Sequence, residues 1–359
     1  MLLRPGVFLA IALILTGCAT GVPMRPRPSA PAQIDHPKPT KLHFESFSAL
    51  PGWTDEDHVS AFNAYRATCS AARDPATAAI CRRAQSQDLP DSEQARHFFE
   101  DNFRPANVSG QGILTAYFAP EYQARAKPDS VFSAPLRSRP NDLRADARSA
   151  PLSPYPDRAW IETHGAGEPL AWLRPEELFF LQVQGSGVLI YPDGRRVKAL
   201  YAATNGRPFS GIANAMRDRG LLAAGNTSGD AIRTWLATHR GPAAEEIMRL
   251  NPRYVFFRLT PDDGLPPLGA AGIPLPAGRA IAVDLSRHTL GELYWIDGVA
   301  PILTGAFPTY RRLVTALDTG GAIKGEVRAD LYLGQGQEAG AEAGRVRHTL
   351  QLHRLVPRP

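Results

Sequence analysis

The pattern of apolar and polar positions predicts helices in the first part of the folded chain. A polar run at residues 54–57 is typical of a helix start, and it precedes Val59, Phe62, Tyr65 and Cys69 on one helical face. A second helix is expected from residue 92 through the phenylalanines at 98 and 99. The folded part of the chain is therefore predicted to begin with helices.

Helical periodicity returns once more in the middle of the chain. Ser228 is suited to cap a helix whose apolar stripe contains Ile232 and Leu236, and Pro242 is suited to open another. The proline-, serine- and arginine-rich residues 127–157 are expected to form either a long surface loop or an elaborated connection between strands.

Between and after these helices the pattern is that of short strands bounded by turns. After Gly110 the segments with strand character are GILTAYFAP, ELFFLQVQGSGVLIY and RRVKALYAATNG. From Tyr254 onward they are YVFFRL, RAIAVDL, ELYWID, RRLVTALD, ADLYLG and HTLQLHRLV, a set that predicts a small barrel.

The composition agrees with a folded protein of mixed helices and strands, and it argues against nucleic-acid binding and against a metal site. The 359 residues are 43% hydrophobic and 21% charged, which is typical of a folded globular protein. The 33 prolines and 31 glycines disfavour a mostly helical fold. The net charge of +5 includes no dense basic run, so no nucleic-acid partner is expected. The nine histidines never take a ligand spacing such as His-Glu-x-x-His, so neither a metal site nor a cofactor is predicted.

The N-terminus has the features of an export and anchoring signal. Arg4 precedes an apolar run at residues 7–15, and the run closes on Leu-Thr-Gly-Cys, which resembles a bacterial lipobox ending at Cys18. We therefore predict a signal peptide at 1–17 and a lipidated, proline-rich linker at 18–40. Lipid on Cys18 tethers the protein to the outer membrane, facing the periplasm, without a spanning helix. The alternative is a plain secretory peptide.

Export also bears on the two remaining cysteines. Cys69 and Cys81 would lie in an oxidising compartment, where a disulfide between them is expected as readily as two buried thiols on neighbouring helices.

Two carboxylates near the C-terminus are the first candidates for catalysis. Asp318 ends an apolar strand and is followed by two glycines, which allow close approach to the backbone. Asp330 lies within the next strand, between Ala329 and Leu331. A carboxyl group in apolar surroundings with a second carboxylate nearby is expected to have a raised pKa and to suit general-acid work. A turn without catalytic function is the competing interpretation.

A second candidate is the segment FFLQVQGSG. Strand alternation would place Gln182 and Gln184 on one face, close to Ser186. Paired amides and a hydroxyl group can bind sugar hydroxyls and N-acetyl groups. A solvated strand face is the competing interpretation.

The C-terminal motifs resemble a known family. GAIKG, with an aspartate before it and ADLY after it, is similar to the three-aspartate domain of the membrane-bound lytic murein transglycosylase A family. FFLQVQGSG, NPRYVFF, PLPAGRAIAVD and GQEAGAEAG are similar to the family's other motifs, in the same order. The resemblance covers roughly residues 105–355.

The resemblance implies a fold and a domain division. The fold is mainly β with helices, in which a double-psi β-barrel domain is interrupted by a second, smaller β domain, with a groove between them. We expect the barrel domain at 41–115 and 240–359 and the inserted domain at 116–239.

The resemblance also implies roles for individual residues. The catalytic acid falls on Asp330, and the other two aspartates of the family fall on Asp318 and Asp284. Substrate-binding or supporting roles fall on Thr115, Tyr117 and Asn205. Lys324 is expected either to hold a carboxylate or the substrate, or to be only solvated. The sequence departs from the family pattern at Ala116 and Ala119, at residues 203–204, and at residues 288–291, where His-Thr-Leu-Gly replaces the usual Ile-Pro-Leu-Gly.

The implied activity is cleavage of the β-1,4 bond between N-acetylmuramic acid and N-acetylglucosamine, with 1,6-anhydromuramoyl products and one aspartate as acid and base. The partners expected are peptidoglycan glycan strands and the membrane, and cell-wall synthesis or division proteins are further candidates. Two alternatives are open: a hydrolytic glycosidase, which would use water, and a non-catalytic murein-binding outer-membrane lipoprotein.

Overall fold

A computed structural model describes residues 43–145, 151–223, 225–301 and 307–359. The predicted signal peptide, Cys18 and the linker lie outside these ranges. The helices are α1 (His58–Thr68), α2 (Pro75–Ser86), α3 (Ser92–Asn102), α4 (Arg158–His164), α5 (Pro175–Gln184), α6 (Ala213–Asp218), α7 (Gly229–Thr238), α8 (Pro242–Arg249) and α9 (Gly336–Ala343).

The strands divide between one large sheet and two smaller ones. They are β1 (His43–Phe44), β2 (Phe103–Ala119), β3 (Glu121–Gln123), β4 (Ala134–Arg137), β5 (Pro169–Leu173), β6 (Ser186–Ile190), β7 (Arg196–Thr204), β8 (Val255–Pro261), β9 (Ala280–Ala282), β10 (Leu293–Pro301), β11 (Tyr310–Asp318), β12 (Arg328–Gln335) and β13 (Arg347–Pro357).

The large sheet closes into a six-stranded barrel. Its order is β2-β12-β9-β11-β10-β13, and β13 pairs back onto β2, while β1 is added outside β2. The pairs β2–β12 and β9–β11 are parallel and the others are antiparallel. Alternate side chains fill the interior, among them Leu114, Ile281, Val314, Leu331 and Leu352. The predicted fold class, a barrel with helices and a second β domain, is confirmed.

The N-terminal helices pack on the outside of this barrel. Asp57 caps α1 by accepting a hydrogen bond from Ser60 N at 3.0 Å, as the polar run predicted. Phe62 and Tyr65 of α1 contribute to an apolar cluster that also includes Trp295 of β10. Cys69 and Cys81 form a disulfide that joins the end of α1 to α2.

The second sheet has the order β3-β6-β7-β8, with the β4–β5 pair beside it. The segment YVFFRL was expected in the barrel, and that expectation is wrong: β8 pairs antiparallel with β7, from Thr204–Val255 to Val197–Pro261. Apolar alternation indicates a strand but does not say which sheet the strand joins. The second sheet therefore continues past residue 240, where we had expected the barrel domain to resume.

The segment ELFFLQVQ was expected to be a strand and is the helix α5. Pro175 occupies its first turn, acidic residues follow, and Gly185 ends it with φ of 87°. These start and stop signals prevail over the strand propensity of the phenylalanines and valine. Because successive helical residues are turned by about 100°, Gln182 and Gln184 lie on different faces rather than on one.

Candidate active site

Two of the three aspartates flank the short strand β9. Asp330 of β12 pairs with Ala282 on one side of β9, and Asp318 at the end of β11 pairs with the same Ala282 on the other. Two strand spacings of roughly 4.8 Å therefore separate their backbones. Both side chains keep part of their surface exposed to solvent. The barrel thus brings together two carboxyl groups that are twelve positions apart in sequence.

Strand β2 supplies a hydroxyl group to each of these carboxyl groups. Thr115 is directly opposite Asp330 in the parallel β2–β12 ladder, and its Oγ1 donates to Asp330 Oδ1. Tyr117, two residues further and so on the same face, donates from its OH to Asp318 Oδ2 at 2.8 Å. The two residues predicted from the LTAYFAP motif therefore contact the two aspartates.

Burial raises the pKa of both carboxyl groups. For Asp330, burial is opposed by the charge of Arg328 and by the hydrogen bond from Thr115. For Asp318, burial is opposed by hydrogen bonds from Tyr117 and from the backbone of Thr319 and Ala270, and the charge of Asp330 raises its pKa further. Asp318 thus accepts more hydrogen bonds that favour its ionised form. Asp330 is the carboxyl group better suited to hold a proton.

Asp284 follows β9 and is in a different setting. Its Oδ2 accepts from Gly325 N at 2.9 Å, and its Oδ1 accepts from Ser286 N at 3.1 Å and Ser286 Oγ at 2.9 Å. Burial opposes these bonds, but together with the charge of Lys324 they lower the pKa of Asp284. The exposed Lys324 ammonium lies 3.6 Å from Asp284 Oδ1. Asp284 is an ionised carboxylate that holds the loop leading to β12.

His288 holds the same loop and was not recognised from the sequence as a site residue. Its Nε2 lies 2.7 Å from Glu326 O, and its Nδ1 lies 2.8 Å from Tyr294 OH, which in turn donates to Glu292. Asp284 and His288 therefore bind the backbone of two consecutive residues, through Gly325 N and Glu326 O. The only sequence signal was the departure from the family pattern at residues 288–291.

Arg328 is a second residue that sequence reasoning missed. Its Nη2 donates to Thr115 Oγ1 at 2.8 Å, and its charge opposes the raised pKa of Asp330. The signal was present in strand alternation, because Arg328 and Asp330 are two residues apart and share a face.

The other predicted residues lie in the scaffold around this site. Gln182 is buried and donates to Val255 O at 3.2 Å, while Gln184 Oε1 accepts from Phe118 N at 3.2 Å. Ser186 begins β6 opposite Leu200. Among the hydrogen bonds of the described residues, none joins these three side chains to an aspartate.

Asn205 is also part of the scaffold. Its side chain is fully buried, donates to Pro156 O and Pro252 O at 2.9 Å each, and accepts from Tyr254 N at 2.9 Å. These contacts fix the turn before β8.

No group of three or more histidine, cysteine or acidic side chains is arranged to hold a metal ion within the ranges that the structure describes. In the same ranges no helix is both long and apolar enough to cross a membrane.

Comparison with known proteins agrees with the fold. Residues 113–258 match the family described as the MltA-specific insert domain, and residues 279–356 match the 3D domain. A membrane-bound lytic murein transglycosylase A from Escherichia coli K12 is 30% identical over 269 residues, which cover 72% of this chain and 70% of that protein. The chain belongs to this family.

Further relatives support the assignment. The Vibrio cholerae protein of the same name is 32% identical over 67% of this chain, and the chain spans 64% of its length. A solved structure of a membrane-bound lytic murein transglycosylase from Agrobacterium tumefaciens superposes with a TM-score of 0.77 at 35% identity, covering 89% of this chain and 98% of that one. The E. coli family member with bound chitohexaose gives a TM-score of 0.66 at 26% identity, covering 87% and 91%.

Proposed function

We propose that this protein is a lytic transglycosylase that cleaves the β-1,4 bond between N-acetylmuramic acid and N-acetylglucosamine in peptidoglycan and leaves 1,6-anhydromuramoyl ends. The observation that carries the proposal is Asp330: a half-buried carboxyl group with a raised pKa, on the barrel of a chain whose family is named for this activity.

The proposed first step is proton donation by Asp330. A neutral carboxyl group donates to the glycosidic oxygen of the departing glucosamine, and burial favours this neutral form. Thr115 holds Asp330 Oδ1 and is itself bound by Arg328, so the carboxyl group is held in one orientation. General-acid help of this kind contributes about 10²–10⁴-fold to a rate.

The proposed second step closes a ring within the substrate. The 6-hydroxyl of the muramoyl residue attacks its own anomeric carbon, and the Asp330 carboxylate takes the hydroxyl proton. Because the attacking group is tethered to the reacting carbon, effective molarity replaces activation of an external nucleophile. The enzyme needs no water and no second reacting carboxylate.

The setting of Asp318 favours this reaction over hydrolysis. A hydrolytic glycosidase uses a second carboxylate as base or nucleophile. Both oxygens of Asp318 are engaged, by Tyr117 OH at 2.8 Å and by Ala270 N at 3.0 Å. Asp318 and Asp284 therefore act as supporting residues in this proposal, with Lys324 as the counter-charge of Asp284.

Mass analysis of products released from purified sacculi in H₂¹⁸O tests the reaction. A transglycosylase releases anhydro ends without ¹⁸O, a hydrolase releases reducing ends that carry ¹⁸O, and the alternative murein-binding lipoprotein releases nothing. Only the first result is consistent with the proposal. Activity that survives chelator treatment is expected, because we propose that the reaction needs neither metal nor cofactor.

The location proposed is the outer membrane, with the body facing the periplasm on a lipid attached to Cys18. The family name, membrane-bound, supports membrane association. Replacing Cys18 by Ala should release the protein into the soluble fraction. Retention of the variant on membranes in high salt would show that another feature anchors it. Cell-wall synthesis and division proteins remain candidate partners.

A further inference from the structure

The turn before β8 is held by three buried polar side chains. Arg158 donates to Asn251 O at 3.0 Å and to Arg253 O at 2.8 Å. Asn205 binds Pro252 O and Tyr254 N, and Asn251 Oδ1 accepts from Arg253 N at 3.3 Å. Arg158, Asn205 and Asn251 are each no more than 2% exposed. These hydrogen bonds fix the backbone of the turn. They therefore also fix the direction in which its one charged side chain, that of Arg253, leaves the backbone.

That side chain lies against the glycine loop that follows Asp318. A Cβ built on Gly321 would be 2.9 Å from Arg253 Nη1 and 3.1 Å from its Cζ. Gly321 is exposed and is three residues from Asp318, so its Cα is at most about 11 Å from that of Asp318. The turn before β8 therefore places the Arg253 guanidinium group at the edge of the aspartate site.

The guanidinium group has no acidic partner in the described part of the chain. No Asp or Glu oxygen there lies within 4.0 Å of it, although many of the other arginines are paired in this way. Arg253 is also half-buried, and burial lowers its pKa, an effect opposed by the charge of nearby Tyr201. A half-buried cation without a counter-ion is costly, and an anion bound beside it removes that cost.

We propose that Arg253 binds a carboxylate of the glycan strand and thereby selects muramoyl substrates over neutral chito-oligosaccharides. This proposal rests on the proposed function and names the substrate group recognised beside the aspartates. The planar guanidinium matches a carboxylate with two parallel hydrogen bonds. The carboxylate comes either from the lactyl group of muramic acid or from its stem peptide.

The test measures binding of two matched glycan preparations to the Asp330→Asn protein, which does not consume them. One is denuded glycan strands with free lactyl carboxylates, and the other is the same strands with those carboxylates converted to methylamides. If the carboxylate is that of the lactyl group, adding Arg253→Gln should weaken binding of the free-acid strands about tenfold to a hundredfold and leave the methylamide strands unaffected. Arg253→Lys keeps the charge but not the planar group with two parallel donors. Its affinity for these strands should therefore lie between that of the parent protein and that of the Arg253→Gln variant.

Strands that retain their stem peptides distinguish the two sources. Their lactyl carboxyl is already an amide, so an Arg253→Gln loss confined to peptide-bearing strands assigns the contact to the stem, and a loss confined to denuded strands assigns it to the lactyl group. Arg217→Gln removes the same charge from an exposed side chain of α6 that is paired with Asp218, and it should change nothing.

An equal loss for free-acid and methylamide strands would overturn the proposal, as would no loss for any strand. Because Arg253 contributes its backbone rather than its side chain to the turn, and because its unpaired charge is costly to bury, the substitution should not lower the melting temperature. If wild-type protein releases no anhydro products, the proposed function fails, and the binding comparison still reports on Arg253.

Discussion

The three aspartates of the barrel occupy two contrasting settings. Asp330 and Asp318 lie on or at the end of barrel strands, where burial raises the pKa of each. Asp284 lies in a turn where backbone and hydroxyl donors lower its pKa against the effect of burial. In the proposed mechanism, one residue type thus serves as a proton donor in one setting and as a fixed anion in the other. Asp318 and Asp284 each accept three hydrogen bonds, so the opposite pKa shifts follow from the balance of these bonds with burial and with the neighbouring charge, which is Asp330 for Asp318 and Lys324 for Asp284.

The largest expected effect is that of Asp330→Asn. The amide keeps the shape of the carboxyl group but has no proton to donate, so anhydro-product release should fall by at least about 10²–10⁴-fold. Binding of sacculi should stay close to wild type. Turnover is measured by chromatography of released muropeptides, and near-normal turnover would mean that the acid is elsewhere.

Asp318→Asn should cause an intermediate loss. Tyr117 OH and Ala270 N donate to different oxygens of Asp318, and the NH₂ group that replaces one oxygen cannot accept, so one of the two bonds is lost in its present form. We expect turnover to fall about tenfold to a hundredfold, and Tyr117→Phe to give a smaller loss. An Asp318→Asn enzyme that is as inactive as Asp330→Asn would indicate that both carboxyl groups react, as in a hydrolase.

His288→Gln should lower turnover only a few-fold. The substitution removes the hydrogen bond to Glu326 O but leaves the hydrogen bond from Gly325 N to Asp284 in place. One such hydrogen bond contributes a net of about 0.5–1.5 kcal/mol to stability. His97→Gln, at an exposed position on α3, is the matched control. A change in KM alone would contradict a role in placing β12.

Stability should respond to pH in opposite directions in the two settings. The raised pKa of Asp330 means that its ionised form destabilises the fold, so Asp330→Asn should raise the melting temperature at pH 7 and lose that advantage as pH falls through the raised pKa towards about 3.9. The lowered pKa of Asp284 means that its ionised form stabilises the fold. Asp284→Asn should therefore lower the melting temperature at pH 7, and the deficit should shrink as acid protonates the wild-type carboxylate.

Much of this contrast could be predicted from the sequence. Alternation in the strand ending in ADLY placed Asp330 between two buried residues, and the glycines after Asp318 marked a turn. The supporting contacts could not be predicted, because Thr115 and Asp330 meet only through pairing of strands that are 215 residues apart. Sheet membership of β8 was missed for a related reason: local apolar patterning does not specify long-range partners. The helical state of α5 was missed for a different reason, because its local start and stop signals at Pro175 and Gly185 outweigh strand propensity.

The most direct measurement is a ¹³C NMR titration of the aspartate carboxyl carbons, assigned with the three Asp→Asn variants. The pKa values of Asp330 and Asp318 should lie above the ordinary value of about 3.9, and that of Asp284 should lie below it. The alkaline limb of the activity–pH profile should follow Asp330. An Asp330 that titrates below about 3.9, or an alkaline limb that follows another group, would contradict its assignment as the proton donor.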